Sequence, residues 1–284
     1  MPASTRATRY LGAFLRDMRT ACKMLTTDVA THLDQSDSTV GRYERGELRL
    51  TWPVIGTLVT LYGGNADELA EARRRYDAAK NEPKPVRLPA KTLPAFRRLV
   101  NEERVATGVR TVQPIVVPGL LQIEEYTDAL GDQLHDPSSR SVGASSVRQS
   151  RQQRLDPSEA RPLHLHAILD EIVITRRVGG VAVMRKQLLH IIDLMGRDNI
   201  TVQMVPAEAG AYGLTNGGIF IVDYEEPVEP SGVYFEYPAG NAWVENEKDV
   251  QRFAKIFDRA VRVASKPDET ADFLHRQMRV LESK

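Results

Sequence analysis

Along the first eighty positions the apolar residues recur at helical spacing. Leu11, Leu15, Met18 and Cys22 share one face, with Phe14 beside them. Val29, Ala30 and Leu33 predict a second, shorter helix, and the stretch SDSTVGRYERG at 36–46 predicts a third. In a fourth, Thr51 stands where a cap belongs and Pro53 falls in the first turn. Ile55, Leu58, Val59 and Tyr62 form its stripe, and Gly63-Gly64 ends it. The charged run ADELAEARRRYDAAK predicts a fifth. The segment 81–94, NEPKPVRLPAKTLP, then carries four prolines and no apolar period. It predicts an extended linker between a domain at 1–80 and a larger one at 95–284.

Past the linker the period changes from segment to segment. Helices are predicted at 95–106, 120–131, 144–155, 181–196, 246–264 and 268–281. The last two have the clearest faces: Val250, Phe253, Ala254, Phe257 and Val261, then Leu274, Met278 and Leu281. Strands are predicted at 111–116, 162–169, 199–205, 218–223 and 232–237, with the plainest alternation in PLHLHAIL. The fold class that follows is an all-α N-terminal domain and a larger α+β C-terminal domain. The serine-rich 138–150, SSRSVGASSVRQS, reads as a loop before a helix.

The third helix is unusual in what it lacks. Only Val40 and Tyr43 are apolar, spaced to anchor it inward, and Ser36 is placed to cap it. Asp37, Ser38, Gly41 and Arg42 then face outward. Arginine matches guanine O6/N7 and aspartate matches the cytosine amino group. Thr26 or Thr27 is placed to cap the preceding helix and to offer a hydroxyl or backbone N–H to phosphate. From the pattern alone, a small bundle with a polar face fits as well as a helix that enters a DNA groove.

Charge does not decide between these. The 284 residues hold 38 Lys and Arg against 38 Asp and Glu, so a nucleic-acid partner requires a local basic surface. Residues 1–50 hold eight basic and six acidic residues, which predicts weak non-specific affinity for DNA and a need for a dimer. Hydrophobic residues at 42% and charged residues at 27% indicate a folded chain. The single cysteine, Cys22, forms no internal disulfide and no cysteine-based zinc site. With no apolar leader or spanning run, the expected location is cytoplasmic, with no membrane contact.

Resemblance separates the two readings. MLTTDVATHLDQSDSTVGRYERGELR resembles the helix-turn-helix of the Xre/lambda-repressor-like family, with similarity running from 11 to about 69. The resemblance implies base reading by Asp37, Ser38 and Arg42, and backbone positioning by Thr26, Thr39, Arg45 and Arg49. Thr27 and Ser36 complete the candidate DNA-binding set. Three positions depart from the family pattern: Thr26 stands where glutamine is usual, Asp37 brings a negative charge towards phosphate, and Gly41 interrupts the helix. That glycine costs about 1 kcal/mol relative to alanine.

The larger domain carries no catalytic signature: no Gly-x-Ser-x-Gly, no His-Glu-x-x-His and no phosphate loop. No enzyme and no cofactor are expected. His164-x-His166 places two rings on one strand face, read as a polar face in preference to a metal site. Asp170-Glu171 reads as a helix cap in preference to a catalytic carboxylate pair. GAYGLTNGG reads as a strand-to-strand loop with Tyr212 towards a pocket. Tyr234, Phe235, Tyr237 and Trp243 read as core or sheet residues.

Two further segments leave alternatives open. In VVPGLLQ and the helix after it, Pro118, Leu120, Leu121 and Tyr126 frame either a hydrophobic groove or a buried strand-to-helix connection. In DYEEPVE, Glu225 and Glu226 form either a docking edge for a basic partner or a solvated loop.

Segments including VVPGLLQIEEYTDAL, LDEIVITRRVGG and VYFEYPAGNAWVENEKDV resemble the large domain of actinobacterial regulators of the WhiJ type, over about 95–280. That resemblance implies a toxin–antitoxin-like regulator that acts as a homodimer on an inverted-repeat operator at the nucleoid. It further implies that the C-terminal domain receives a protein or ligand signal, either from a small partner protein of the BldB type or, alternatively, from a sensed metabolite.

Overall fold

The computed structural model describes residues 5–82, 86, 88, 92–133, 142–214, 217–225, 231–237 and 240–282. Half of the proline-rich stretch 81–94, the start of the serine-rich stretch and Glu226 lie outside them. The chain divides into two compact units, Met1–Val86 and Arg87–Lys284.

Among the described residues the elements of the first unit are all helices: α1 (Arg6–Ala21), α2 (Thr26–Leu33), α3 (Asp37–Glu44), α4 (Trp52–Leu61) and α5 (Ala66–Asn81). Its core is built by the periodic residues: Leu11, Leu15 and Met18 of α1, Val29 and Ala30 of α2, Val40 of α3, and Ile55, Leu58 and Val59 of α4 with Tyr62. Cys22 departs from the expected face and is exposed, because α1 has ended by then. Glu82, just past α5, closes the unit: its carboxylate accepts from the backbone N–H of Arg6 (3.1 Å) and Ala7 (3.0 Å). These are orphan donors at the positive end of α1, where a negative side chain is favoured.

α1 and α3 meet backbone to backbone. A Cβ on Gly12 would lie 2.5 Å from the carbonyl oxygen of Tyr43 and 2.6 Å from that of Glu44. Alanine gains about 1 kcal/mol over glycine in a helix. Here that gain is outweighed, since the obstacle is backbone that cannot swing aside. We expect Gly12→Ala to lower the stability of this unit by about 1–3 kcal/mol. An unchanged unfolding midpoint would refute this packing.

The second unit holds a six-stranded sheet of β1 (Gly108–Gln113), β2 (His164–Asp170), β3 (Ile200–Val205), β4 (Ile219–Asp223), β5 (Gly232–Tyr237) and β6 (Gly240–Val244), in the order β3-β2-β1-β4-β5-β6. β1, β2 and β3 are parallel neighbours, and β4, β5 and β6 continue as an antiparallel meander. The helices are α6 (Pro94–Glu103), α7 (Glu124–Gln133), α8 (Val142–Gln153), α9 (Glu171–Thr175), α10 (Gly180–Met195), α11 (Glu247–Val263) and α12 (Pro267–Glu282). One sheet face, with Leu165, Ala167, Leu169, Val202 and Val222, packs on Leu188 and Ile191 of α10 and Leu274 of α12. The other, with Val112, Ile168, Ile221 and Val233, packs on Val250, Phe257 and Ala260 of α11. Because helices cover both faces, β2 is buried beyond what its alternation predicts: Ala167, Ile168 and Leu169 are all inaccessible.

β1 begins and ends three residues before the expected 111–116. Pro114 has no N–H for the ladder, so the strand stops at Gln113. Asp170 caps α9 by accepting from the N–H of Ile172 (3.0 Å), and Glu171 accepts from that of Ala207 (2.8 Å). His166 bonds Gln203 (2.7 Å) and meets the Phe257 ring edge-on, which fits the polar-face reading. Burial holds its pKa below the ordinary histidine value.

The groove reading of 117–126 is corrected. Pro118, Leu120, Leu121 and Tyr126 are buried in the core, so they present no surface to a partner. The segment is a buried connection whose backbone polar groups are satisfied internally. Tyr126 Oη accepts from the N–H of Val117, and Gln122 Nε2 donates to the carbonyl of Val117. The fully buried Gln187 of α10 donates to the carbonyl of Leu121 and accepts from the N–H of Ile123. Tyr212 is likewise buried, packed with the α11 core, and its hydroxyl has no hydrogen-bond partner among the described residues. Burial, with the Asp170 carboxylate nearby, pushes its pKa up. Glu225 is exposed.

Candidate nucleic-acid interface

α3 is short and polar, and its start is fixed locally. Ser36 Oγ accepts from the N–H of Thr39 at 3.2 Å, as its capping position requires. The Ser36 hydroxyl also lies 2.9 Å from that of Ser38 and 2.8 Å from that of Thr39. Asp37 and Ser38, at the first turn, are exposed.

The start of α2 differs from expectation. Leu25 occupies the cap position, and its N–H donates to Asp28 Oδ2 at 2.8 Å. Neither Thr26 nor Thr27 caps the helix; both fall inside its first turn. Asp28 takes over because a carboxylate three residues on reaches back to the cap N–H and complements the helix dipole. The Thr26 and Thr27 hydroxyls are therefore not used as caps, with Thr26 half-buried and Thr27 exposed.

The inner side of α3 also departs from the two-anchor expectation. Val40 is buried at 2% exposure, whereas Tyr43 is only half-buried. The second deep contact is Glu44, at 8% exposure. Arg19 of α1 donates to it through Nε (2.5 Å) and Nη2 (3.0 Å), and through Nη1 to the carbonyl of Met24 (2.7 Å). One guanidinium thus ties α1, the turn before α2 and the end of α3 together. The hydrogen bond to Glu44 raises the Arg19 pKa above its usual value.

Between these helices lies an open groove of about 360 Å³ lined by Arg16, Thr26, Asp37, Ser38, Gly41, Glu44 and Arg45. The fold thus brings four of the sequence-derived candidates together: Thr26, Asp37, Ser38 and Arg45. It adds Arg16 of α1, whose side chain is 53% exposed with its nearest carboxylate, Asp17, at 3.9 Å. Sequence reasoning missed Arg16. The available signal was its position one turn before Arg19 on the face opposite Leu11, Leu15 and Met18. Gly41 acquires a local reason, since a Cβ there would sit 3.1 Å from Arg45 Nη1. Its absence lets the Arg45 side chain lie back over the helix.

Arg42 is half-buried and Arg49 is exposed. Neither Arg42 nor Arg49 is among the groove's lining residues; Arg49 lines a second, smaller recess of about 90 Å³ with Tyr43, Tyr76 and Lys80. Glu47, in the turn after α3, lies 3.8 Å from Arg42 Nε and 2.8 Å from Arg45 Nε.

Among the described residues there is no cluster able to hold a metal ion, and no helix is long and apolar enough to cross a membrane. Residues 10–72 match a family described as a helix-turn-helix domain, which marks a DNA-binding regulator. Residues 96–276 match a family described as a domain of unknown function, DUF5753. No curated protein and no solved structure matches the chain.

Proposed function

Since the chain belongs to the DUF5753 family and carries a helix-turn-helix domain ahead of that region, we propose that it is a sequence-specific transcription regulator that reads DNA with α3. The observation that carries this reading is the groove at the start of α3. There exposed Asp37 and Ser38 stand beside Arg16 and Arg45, with Glu44 locked to Arg19 behind them. In this reading Asp37, Ser38 and Arg42 contact base edges. Arg16, Thr26, Thr27, Ser36, Thr39, Arg45 and Arg49 contact or position phosphates.

One such helix makes few base contacts, so the working form is a homodimer on an inverted repeat, with half-sites about 34 Å apart. The DUF5753 region supplies the dimer and receives the regulatory signal, a small partner protein of the BldB type, and the regulator acts as a repressor. Glu225, exposed in the β4–β5 loop, is the partner-facing candidate retained among the described residues. The expected location is the cytoplasm, at the nucleoid.

Arg42→Ala is expected to weaken binding to a selected duplex by roughly 1–3 kcal/mol and to relax preference at one base pair. An anisotropy titration with the full chain reads this, and unaltered affinity would remove Arg42 from the base-reading set.

One observation favours a second reading, a protein-interaction module with weak DNA affinity. The acids Asp37 and Glu47 sit among the arginines of the site. Binding to duplex that does not weaken with salt, alongside tight capture of a partner, would favour it.

A further inference from the structure

Glu47 does not belong to the groove, yet it holds two of the cations assigned to DNA. Arg45 Nε reaches Glu47 Oε1 at 2.8 Å and Arg45 Nη2 reaches Oε2 at 3.3 Å. This is the two-pronged geometry by which a guanidinium grips a phosphate. Arg42 Nε lies 3.8 Å from the same Oε2. The hydrogen bond from Arg45 holds the Glu47 carboxyl below the ordinary carboxylate range, and the same contact raises Arg45. Both partners are near the surface, with side chains 58% and 42% exposed, so water and salt can replace the contact readily. Of the two acids that line the groove, Glu44 is committed to Arg19 and Asp37 is exposed at the start of α3.

We propose that Glu47 is a built-in stand-in for a DNA phosphate. In the DNA-free protein it occupies Arg45 and screens Arg42. A duplex that offers only phosphates must compete with it. A duplex that also offers matching base edges displaces it with the help of those extra contacts. Glu47 thereby lowers non-specific affinity more than specific affinity and sharpens discrimination. The inference rests on the DNA-reading assignment of α3 above.

The test uses the full chain, a duplex of scrambled sequence and a salt series. Glu47→Gln preserves size and removes the charge. Asp77→Asn removes one charge from α5, where Asp77 holds Arg73 at 2.8 Å, and controls for net charge alone. Glu47→Gln is expected to bind the scrambled duplex about three- to tenfold more tightly at low salt, with a salt slope steeper by about one. Asp77→Asn is expected to stay close to wild type. Equal gains in both variants, or no gain in Glu47→Gln while wild type binds, would overturn the stand-in and leave the DNA reading in place. Absence of salt-dependent binding by every form would take down both.

Discussion

Arg19→Met is expected to destabilise the helix-turn-helix unit by about 3 kcal/mol, because it strands the Glu44 carboxylate at a largely buried site. Two effects compete. Removing a guanidinium from a poorly solvated position saves its desolvation cost, while leaving a partner charge without a counterion costs more. Arg19 and Glu44 side chains are only 11% and 8% exposed, so the second effect wins. The lost bond to the Met24 carbonyl adds to the damage at the turn before α2. In a unit of this size the midpoint should fall by about 15 °C. Trp52 reports it in a Trp243→Phe background, since the chain has two tryptophans, one in each unit. Arg19→Met with Glu44→Leu should recover much of the loss, as apolar replacements of buried ion pairs do. If the single variant unfolded like wild type, the proposed tether between α1 and α3 would be wrong.

Arg151→Met should have the largest effect in the second unit. Arg151 of α8 donates to Glu103 of α6 through Nε (2.5 Å) and Nη2 (2.9 Å), with side chains 8% and 2% exposed. The Phe96 ring lies under the guanidinium, 5.5 Å from its centroid. Burial lowers the Arg151 pKa, but the Glu103 charge and hydrogen bond more than offset that. Methionine keeps the contact with Phe96 and deletes the charge. The expected cost is about 3–5 kcal/mol, a fall of roughly 10 °C. Near-ultraviolet circular dichroism on heating reads this. A midpoint within about 2 °C of wild type would mean that Glu103 has another counterion.

Neither pair was visible in the sequence, and the reason is the same for both. Periodicity reports which positions face inward, and it counts charged residues as outward. Arg19 and Glu44 are 25 residues apart, and Glu103 and Arg151 are 48 apart. Their burial is a tertiary fact. The elements that the pattern did find include the long helices with one apolar face, from α1 and its Leu11–Leu15–Met18 stripe to α11 and α12, and also the short strands β4 and β5. β6 and α9, five residues each, were missed; β6 has no buried face to produce an alternation. VVPGLLQ was ambiguous because apolar residues beside proline and glycine suit a groove as well as a core. Burial settles it, together with distant side chains that meet the segment's backbone groups, such as Gln187, 64 residues downstream of Ile123, and Gln152.

In the candidate interface, Ser36 as a cap and the outward Asp37 and Ser38 were legible locally. Arg16 was not, because it comes from another helix. The Glu47 contact was missed although it lies two residues from Arg45, since sequence spacing does not show which way an arginine turns.

The most direct test is chromatin precipitation of the full-length protein from its own host, wild type beside Arg42→Ala. The account predicts discrete occupied sites sharing an inverted repeat in wild type, and their loss or a relaxed repeat in the variant. Occupancy that is diffuse, or identical in the two proteins, would contradict a regulator that reads DNA with α3.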